Sequence, residues 1–170
     1  LVSCGCDYND CWGQCAPHCS NTGKPHERCP ALQHRVMDFG NGFYDDHHFH
    51  YGYFVYSAAV LAKQNPAWER KWREQILAIA RDYGNPSVAD PSFPIARHKD
   101  WFLGISWASG ISRASAEGRT QGSVSEAINS YYALYTYGAV VDAPFARDLK
   151  DFGRLLAAME AHGANTYCHV

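Results

Sequence analysis

Apolar residues recur every three or four positions in four segments of the chain, the spacing that lines up one face of an α-helix. These segments are residues 47–64, 67–83, 123–138 and 145–163. Asn65-Pro66 separates the first two, and glycines are expected to end the other three, at Gly84, Gly138 and Gly163. No strand-like alternation of apolar and polar residues competes with these helices. The pattern predicts an all-α fold built from helical hairpins.

The remaining residues form two irregular stretches. Residues 1–37 are rich in Gly, Pro and Cys and show no periodicity, so we expect a Cys-rich loop segment ahead of a helical domain over residues 38–170. Residues 84–121 are rich in Pro, Gly, Ser and Trp. A connection this long inside a compact domain usually carries function, which makes the second stretch a candidate part of the site.

Composition narrows the class of partner. The chain has 170 residues, the size of one domain, and its 46% hydrophobic and 19% charged residues exclude a disordered chain. A net charge of -2 argues against binding to nucleic acid, and no apolar run approaches the roughly 20 residues of a membrane span. Tyr alone supplies 11 residues, which indicates a surface that stacks on a ligand. Because the sequence starts at Leu1 without a signal peptide, we expect a processed or partial product.

The cysteines are unevenly distributed along the chain. Six of the seven lie within the first 29 residues, at Cys4, Cys6, Cys11, Cys15, Cys19 and Cys29. Three disulfides formed in an oxidising compartment are one interpretation, and a zinc site is another. Because the spacings lack the paired two-residue gaps of common zinc modules, the pattern favours disulfides. A third interpretation is that this segment is foreign to the domain that follows it.

The densest cluster of chemically active side chains is DFGNGFYDDHHFHYGYF, residues 38–54, where Asp46 stands at the mouth of a predicted helix. Asp46 is a candidate N-cap, whose carboxylate would accept a backbone N–H. It is also a candidate metal ligand, because Asp46 with His50, or His47 with His50, has the spacing of one helix face. The remaining interpretation is a general acid, with its pKa raised by the surrounding aromatic residues and its carboxyl held by a neighbouring His.

Glu126 is the second candidate, in TQGSVSEAINSYYALY, residues 120–135. Ser123 and Glu126 have the S-x-x-E spacing of a capping box, in which the glutamate only satisfies an amide at the start of the helix. A functional Glu126 would lie at the positive end of the helix dipole, which favours the carboxylate. That environment suits a base better than an acid.

Two tryptophans belong to the third candidate stretch, KDWFLGISWASG, residues 99–110. Trp101 and Trp107 flank glycines in an irregular segment. Packing into the core is one interpretation of these side chains. The other is contact with a sugar, because the C–H faces of a sugar ring rest well on aromatic surfaces.

Taken together, these stretches resemble glycoside hydrolase family 81, the endo-β-1,3-glucanases. The resembling text runs in family order from Asp38 to Val170. It reads DFGNGFYDDHHFHYGYFVYSAAVLA, NPSVADPSFPIARHKDWFLGISWASG, QGSVSEAINSYYALY and DFGRLLAAMEAHGANTYCHV. The first block is long and unusual in composition, which makes the resemblance specific.

The resemblance implies an (α/α)6 toroid beside a β-sandwich, and an enzyme that cleaves internal bonds of β-1,3-glucans with inversion. It implies a secreted or cell-wall location, and the implied reaction requires no metal or cofactor. The family's general acid falls on Asp46, an important histidine falls on His50, and the second of a pair of functional glutamates falls on Glu126. The residues expected to contact the polysaccharide are His50, Asp100, Trp101, Trp107 and Tyr131.

This sequence departs from the family pattern at two positions. Gly122 stands where the pattern has the first glutamate of the pair, and Ile105 stands where it has a histidine. Both changes remove polar groups, so we expect weak or no hydrolysis, and a degenerate β-1,3-glucan-binding protein is the alternative. A Cys/His metal module is a third hypothesis. Because four helices cannot close a toroid of twelve, we expect a fragment or a truncated relative, with apolar stripes left uncovered.

Overall fold

A computed structural model describes residues 37–110 and 118–168. The cysteine cluster of the first 29 residues, with its disulfide and zinc interpretations, lies outside the described residues. Two compact units divide the chain, Leu1–Asp46 and His47–Val170. Within the first, a 3₁₀ helix spans Met37–Phe43, and a turn follows in which the Tyr44 N–H donates to the Asn41 carbonyl at 3.1 Å.

Four α-helices make up the second unit. They are α1 (His47–Gln64), α2 (Pro66–Gly84), α3 (Val124–Val140) and α4 (Ala146–Tyr167). Across residues 37–110 and 118–168 there is no β-strand, although isolated bridges join Asn85 to Ile95 and Lys99 to Ser106. The prediction of an all-α fold is confirmed. No helix in this part of the chain has both the length and the apolar character needed to cross a membrane.

Local sequence explains where two of the helices begin. The Asn65 side chain accepts the Trp68 N–H at 3.0 Å, and Pro66 occupies the first turn of α2, where its missing N–H costs nothing. Ser123 caps α3 by accepting the Glu126 N–H at 3.4 Å. These caps fix both helix starts within one or two residues of the predicted positions.

Helix α3 lies at the centre of the packing, in contact with α1 on one side and α4 on the other. Its fully buried residues Tyr131, Leu134 and Tyr137 contribute to the main core. Glycines allow the neighbouring helices to approach closely. A Cβ at Gly52 of α1 would lie 2.5 Å from the Ser130 Cβ, and one at Gly153 of α4 would lie 2.5 Å from the Tyr135 amide nitrogen.

Two of the predicted helix ends are wrong. Helix α3 continues past Gly138 to Val140, and α4 continues past Gly163 to Tyr167. A Cβ at Gly138 would lie 2.6 Å from the Ala146 carbonyl oxygen, and one at Gly163 would lie 2.6 Å from the Leu103 carbonyl oxygen. Both glycines therefore serve close packing inside a helix, whereas Gly84 does end α2 as predicted.

The described residues of the connection between α2 and α3, 85–110 and 118–123, form no helix or strand, and a buried ion pair anchors this connection to α4. Lys99 Nζ lies 2.6 Å from Glu160 Oε2, and both side chains are fully buried. The Ser106 amide donates to Glu160 Oε1 at 3.0 Å, and the Ser106 hydroxyl donates to Oε2 at 2.6 Å. The loop residues on either side of Gly104 are thereby held against α4, and from there the chain runs on toward the start of α3.

Candidate active site

A cavity of about 350 Å³ opens between α1 and α3, on the side where both helices begin. Half of the described lining residues are aromatic, and one of them is acidic. The lining residues are Phe49, Gly52, Tyr53, Tyr56, Glu126, Asn129, Ser130 and Tyr132. Three of these residues are tyrosines with exposed rings, and one is acidic. The surface suits sugars, because the tyrosine rings offer flat apolar faces and the tyrosine hydroxyls offer hydrogen bonds.

Glu126 is the only acidic side chain among the described residues of this lining, and it lies in the first turn of α3. Its backbone N–H is capped by Ser123, so half of the predicted capping box is present. Its carboxylate does not turn back to the Ser123 amide. Instead, Oε1 accepts the Tyr53 hydroxyl at 2.9 Å, across from α3 to α1. The side chain of Glu126 is therefore available for chemistry in the cavity.

Gly122 adopts a backbone conformation that favours glycine. Its φ is +75°, in the left-handed region. A Cβ at this position would lie 2.9 Å from Phe49 Cε2 and 3.5 Å from the Ala108 Cβ. The absence of a side chain at position 122 is therefore built into the local packing, because the Phe49 ring occupies the space that a longer residue needs.

Asp46 and His50 are both close in sequence to the first residue of α1. Asp46 immediately precedes the helix with φ +56°, whereas an N-cap residue usually has extended dihedral angles. Non-glycine residues in this conformation occur often at functional sites. His50 lies in the first turn of α1 and is half-buried. The roles of both side chains, and the pairing of Asp46 with Glu126, stay predictions from sequence.

Asp100 accepts three hydrogen bonds within the loop that carries Trp101 and Trp107. Its Oδ1 accepts the amides of Phe102 and Leu103 at 2.9 and 3.0 Å, and its Oδ2 accepts Trp107 Nε1 at 3.0 Å. The hydrogen bonds, led by that from Leu103, lower the pKa of Asp100 below its usual value. Trp107 is half-buried, while Trp101 is 50% exposed with its ring 6.4 Å from that of Phe152. Trp101 therefore offers the larger free aromatic surface.

Tyr131 lies inside the core and not on the wall of the cavity. It is fully buried, and its hydroxyl is 2.8 Å from the Ser106 hydroxyl, which in turn donates to Glu160. The ring of Tyr131, which we predicted to contact the polysaccharide, is therefore not exposed in this structure. The sequence placed it on the same helix as Glu126, but the five-residue separation turns it toward α4 and the buried ion pair.

His47 and His48, which follow Asp46, are buried and lie close to the buried His98. His47 Nδ1 lies 2.5 Å from Asp82 Oδ2, and the ring of His48 stacks on that of His98 with centroids 4.1 Å apart. Burial lowers the pKa of His98 to about 3 and holds that of His48 well below its usual value. Within residues 37–110 and 118–168, no group of three His, Cys, Asp or Glu side chains is arranged to hold a metal ion.

Sequence reasoning missed the tyrosines of the cavity. Tyr53 and Tyr56 follow His50 at three and six residues, and Tyr132 follows Glu126 at six. The high tyrosine content indicates a stacking surface, but it does not show which tyrosine rings meet. The contact between Tyr53 and Glu126 joins residues 73 positions apart, which no local pattern reveals.

Comparison with known proteins identifies the family. Residues 29–170 match the C-terminal domain of glycosyl hydrolase family 81. The primary septum glucan endo-1,3-beta-D-glucosidase of Schizosaccharomyces pombe is 37% identical over 134 residues, which is 78% of this chain and 13% of that protein. The glucan endo-1,3-beta-D-glucosidase of Glycine max is 40% identical over 135 residues, which is 78% of this chain and 20% of that protein.

A solved structure agrees with these relatives. It is a family 81 glycoside hydrolase from Clostridium thermocellum in which one glutamate is replaced by alanine. It matches with a TM-score of 0.66 and 35% identity, and the match covers 72% of this chain and 17% of that one. The four helices thus correspond to part of the family's (α/α) toroid, and the chain spans a fifth or less of the length of these relatives. The chain belongs to glycoside hydrolase family 81.

Proposed function

We propose that this chain carries the acid and the base of an enzyme that hydrolyses internal β-1,3-glucosidic bonds with inversion. The observation that supports this most strongly is the carboxylate of Glu126 in a tyrosine-lined cavity, in a chain that belongs to family 81. The relatives from Schizosaccharomyces pombe and Glycine max are both named glucan endo-1,3-beta-D-glucosidases. The substrate class is therefore β-1,3-glucan, such as laminarin, callose or fungal wall glucan.

The proposed reaction uses the two carboxyl groups on opposite faces of the sugar. Asp46 gives its proton to the glycosidic oxygen as the bond to C1 breaks. Glu126 takes a proton from a water molecule, whose oxygen forms the new bond to C1 from the other face, so the configuration inverts. His50 orients the acid or contacts the sugar, and the exposed ring of Trp101 supplies a stacking surface beside the Asp100–Trp107 pair.

Gly122 favours a second candidate, a protein that binds β-1,3-glucan without cutting it. The position that carries a glutamate in the family pattern has no side chain here, and the Phe49 ring lies where its Cβ would be. Among the described residues that line the cavity, activation of water depends on Glu126, the one acidic side chain there. We therefore propose slow hydrolysis, and retention of the glucan without hydrolysis is the alternative.

The proposed substrate also fixes the proposed location. Wall β-1,3-glucans lie outside the plasma membrane, so we propose that the protein acts as a secreted or wall-associated hydrolase. Detection of the protein in the culture medium or the wall fraction of its source cells tests this. Detection in the cytosolic fraction alone would contradict it.

The test of the enzymatic proposal is release of reducing ends from laminarin, with pachyman as a second β-1,3-glucan and cellulose as the control. We expect a low rate on both β-1,3-glucans, none on cellulose, and loss of the rate in Asp46→Asn. The first product observed by proton NMR should carry the α configuration at its reducing end. A silent wild type that is nevertheless retarded by a laminarin affinity gel would establish the binding protein instead.

A further inference from the structure

Tyr53 makes the one hydrogen bond to the Glu126 carboxylate within the described part of the chain. The phenol lies on α1 and donates to Oε1 at 2.9 Å, so the bond ties the two helices together at the edge of the cavity. The other oxygen, Oε2, is not engaged by Tyr53. The ring of Tyr53 is 57% exposed, so the contact is formed in the cavity and is not a product of core packing.

The geometry favours a phenol that donates and a carboxylate that accepts. The hydrogen bond to Glu126 raises the pKa of Tyr53 above its ordinary value, so the phenol keeps its proton through the neutral range. The Ser123 hydroxyl accepts the Glu126 N–H at 3.4 Å and so fixes the backbone of Glu126 at the start of α3. One end of the Glu126 side chain is thus held by the helix start and the other by Tyr53.

We propose that Tyr53 is a positioning residue for Glu126, holding Oε1 so that Oε2 is the oxygen that accepts the proton of the attacking water. The proposal rests on the proposed function of Glu126 as the base. It deepens that function by naming the group that compensates for Gly122. A single glutamate without a neighbouring carboxylate needs an outside group to fix its rotamer, and a displacement of about 1 Å can lower the rate on the order of a hundredfold.

Other titratable groups lie on the two helices that carry Tyr53 and Glu126. From α1, Tyr56 lines the same cavity, and His50 lies one turn before Tyr53; from α3 itself, Tyr132 completes the lining. In the described residues, neither Tyr56 nor Tyr132 donates a hydrogen bond to Glu126. Tyr56→Phe is therefore a matched control, since it removes a phenol from the same wall without touching the carboxylate.

The test compares the chemical shift of the Glu126 carboxyl carbon in the wild type, Tyr53→Phe and Tyr56→Phe, by carbon NMR at one neutral pH on protein labelled at the glutamate carboxyl carbon. Glu126→Gln identifies the resonance. Because the carboxyl carbon responds to a hydrogen bond on its oxygen, we expect Tyr53→Phe to move the resonance. We expect Tyr56→Phe to leave it in place.

The kinetic counterpart uses laminarin. In Tyr53→Phe we expect kcat to fall about tenfold with KM little changed. An unchanged Glu126 resonance in Tyr53→Phe, or an equal change in Tyr56→Phe, would overturn the proposal. The NMR result does not depend on turnover, so a wild type that fails to cleave laminarin would end the proposed function, while the NMR comparison still shows whether Tyr53 holds the carboxylate.

Discussion

At position 122 the backbone conformation and the neighbouring ring act together. A residue with a Cβ must adopt φ near +75° and also displace the Phe49 ring from 2.9 Å. The left-handed conformation alone costs a non-glycine residue about 1–2 kcal/mol. A glutamate placed here by mutation therefore destabilises the fold by at least this amount, whatever chemistry its carboxylate adds.

We expect Gly122→Ala to lower the free energy of unfolding by about 1–3 kcal/mol, because strain and overpacking add. Urea denaturation followed by circular dichroism measures it. Phe49→Leu removes buried apolar contacts of its own but relieves the clash with position 122, so the double variant should lose less than the sum of the two single variants. A Gly122→Ala protein as stable as the wild type would show that the loop accommodates a side chain freely.

Residue types predicted the candidate chemistry at Glu126 but not its partner. The S-x-x-E pattern correctly indicated that Ser123 caps the helix. It also predicts that the Glu126 carboxylate accepts the backbone N–H of Ser123, whereas the carboxylate accepts the hydroxyl of Tyr53 on another helix. A capping pattern reports only on the local backbone, and a hydrogen bond between distant residues depends on how two helices pack.

Among the elements, the loop that leads to α3 depends on its ion pair with α4. Lys99 and Glu160 are both fully buried, and Lys99 Nζ also donates to the Gly104 carbonyl at 2.9 Å. Buried charges are expensive to leave unpaired, so each of these side chains relies on the other.

Lys99→Met is expected to lower the free energy of unfolding by about 3–5 kcal/mol, because the Glu160 carboxylate is left buried without its cation. Lys99→Met with Glu160→Gln should recover most of the loss, since a neutral amide oxygen still accepts from Ser106. Chemical denaturation of the two variants beside the wild type measures both effects. A loss below about 1 kcal/mol in the single variant would mean that water reaches the pair.

The helices were largely predictable from apolar periodicity, and the errors have a physical cause. The starts of α2 and α3 follow from the side chains of Asn65 and Ser123. The ends of α3 and α4 did not follow from Gly138 and Gly163. A glycine that stops a helix and a glycine that admits a neighbouring backbone look alike in a sequence, and only the packing distinguishes them.

Across the whole molecule, stability should depend on pH through the stacked pair His48 and His98. Burial lowers the pKa of His98 to about 3 and that of His48 well below its usual value. Charged and titratable neighbours surround the pair, namely His47, His50, Asp82, Arg97 and Lys99. Below about pH 6.5 the unfolded chain takes up protons that the folded chain refuses, so stability is fully present above that pH and is lost as pH falls toward the folded pKa.

We expect the free energy of unfolding to fall by about 1.4 kcal/mol per pH unit for each histidine between pH 6.5 and the folded pKa. Denaturant titrations at several pH values give the slope. His98→Asn keeps a donor for the Trp107 carbonyl but does not titrate, so its slope should be smaller. A stability that is flat between pH 7 and pH 4 in the wild type would contradict the assignment of these buried neutral rings.

The central claim is that Asp46 and Glu126 are the acid and the base of a β-1,3-glucanase. The most direct measurement is the initial rate of reducing-end release from laminarin by the wild type, Asp46→Asn and Glu126→Gln under one set of conditions. We predict a low but measurable wild-type rate that falls at least about a hundredfold in each variant. A variant that keeps the wild-type rate, or a wild type indistinguishable from both variants, would contradict the claim.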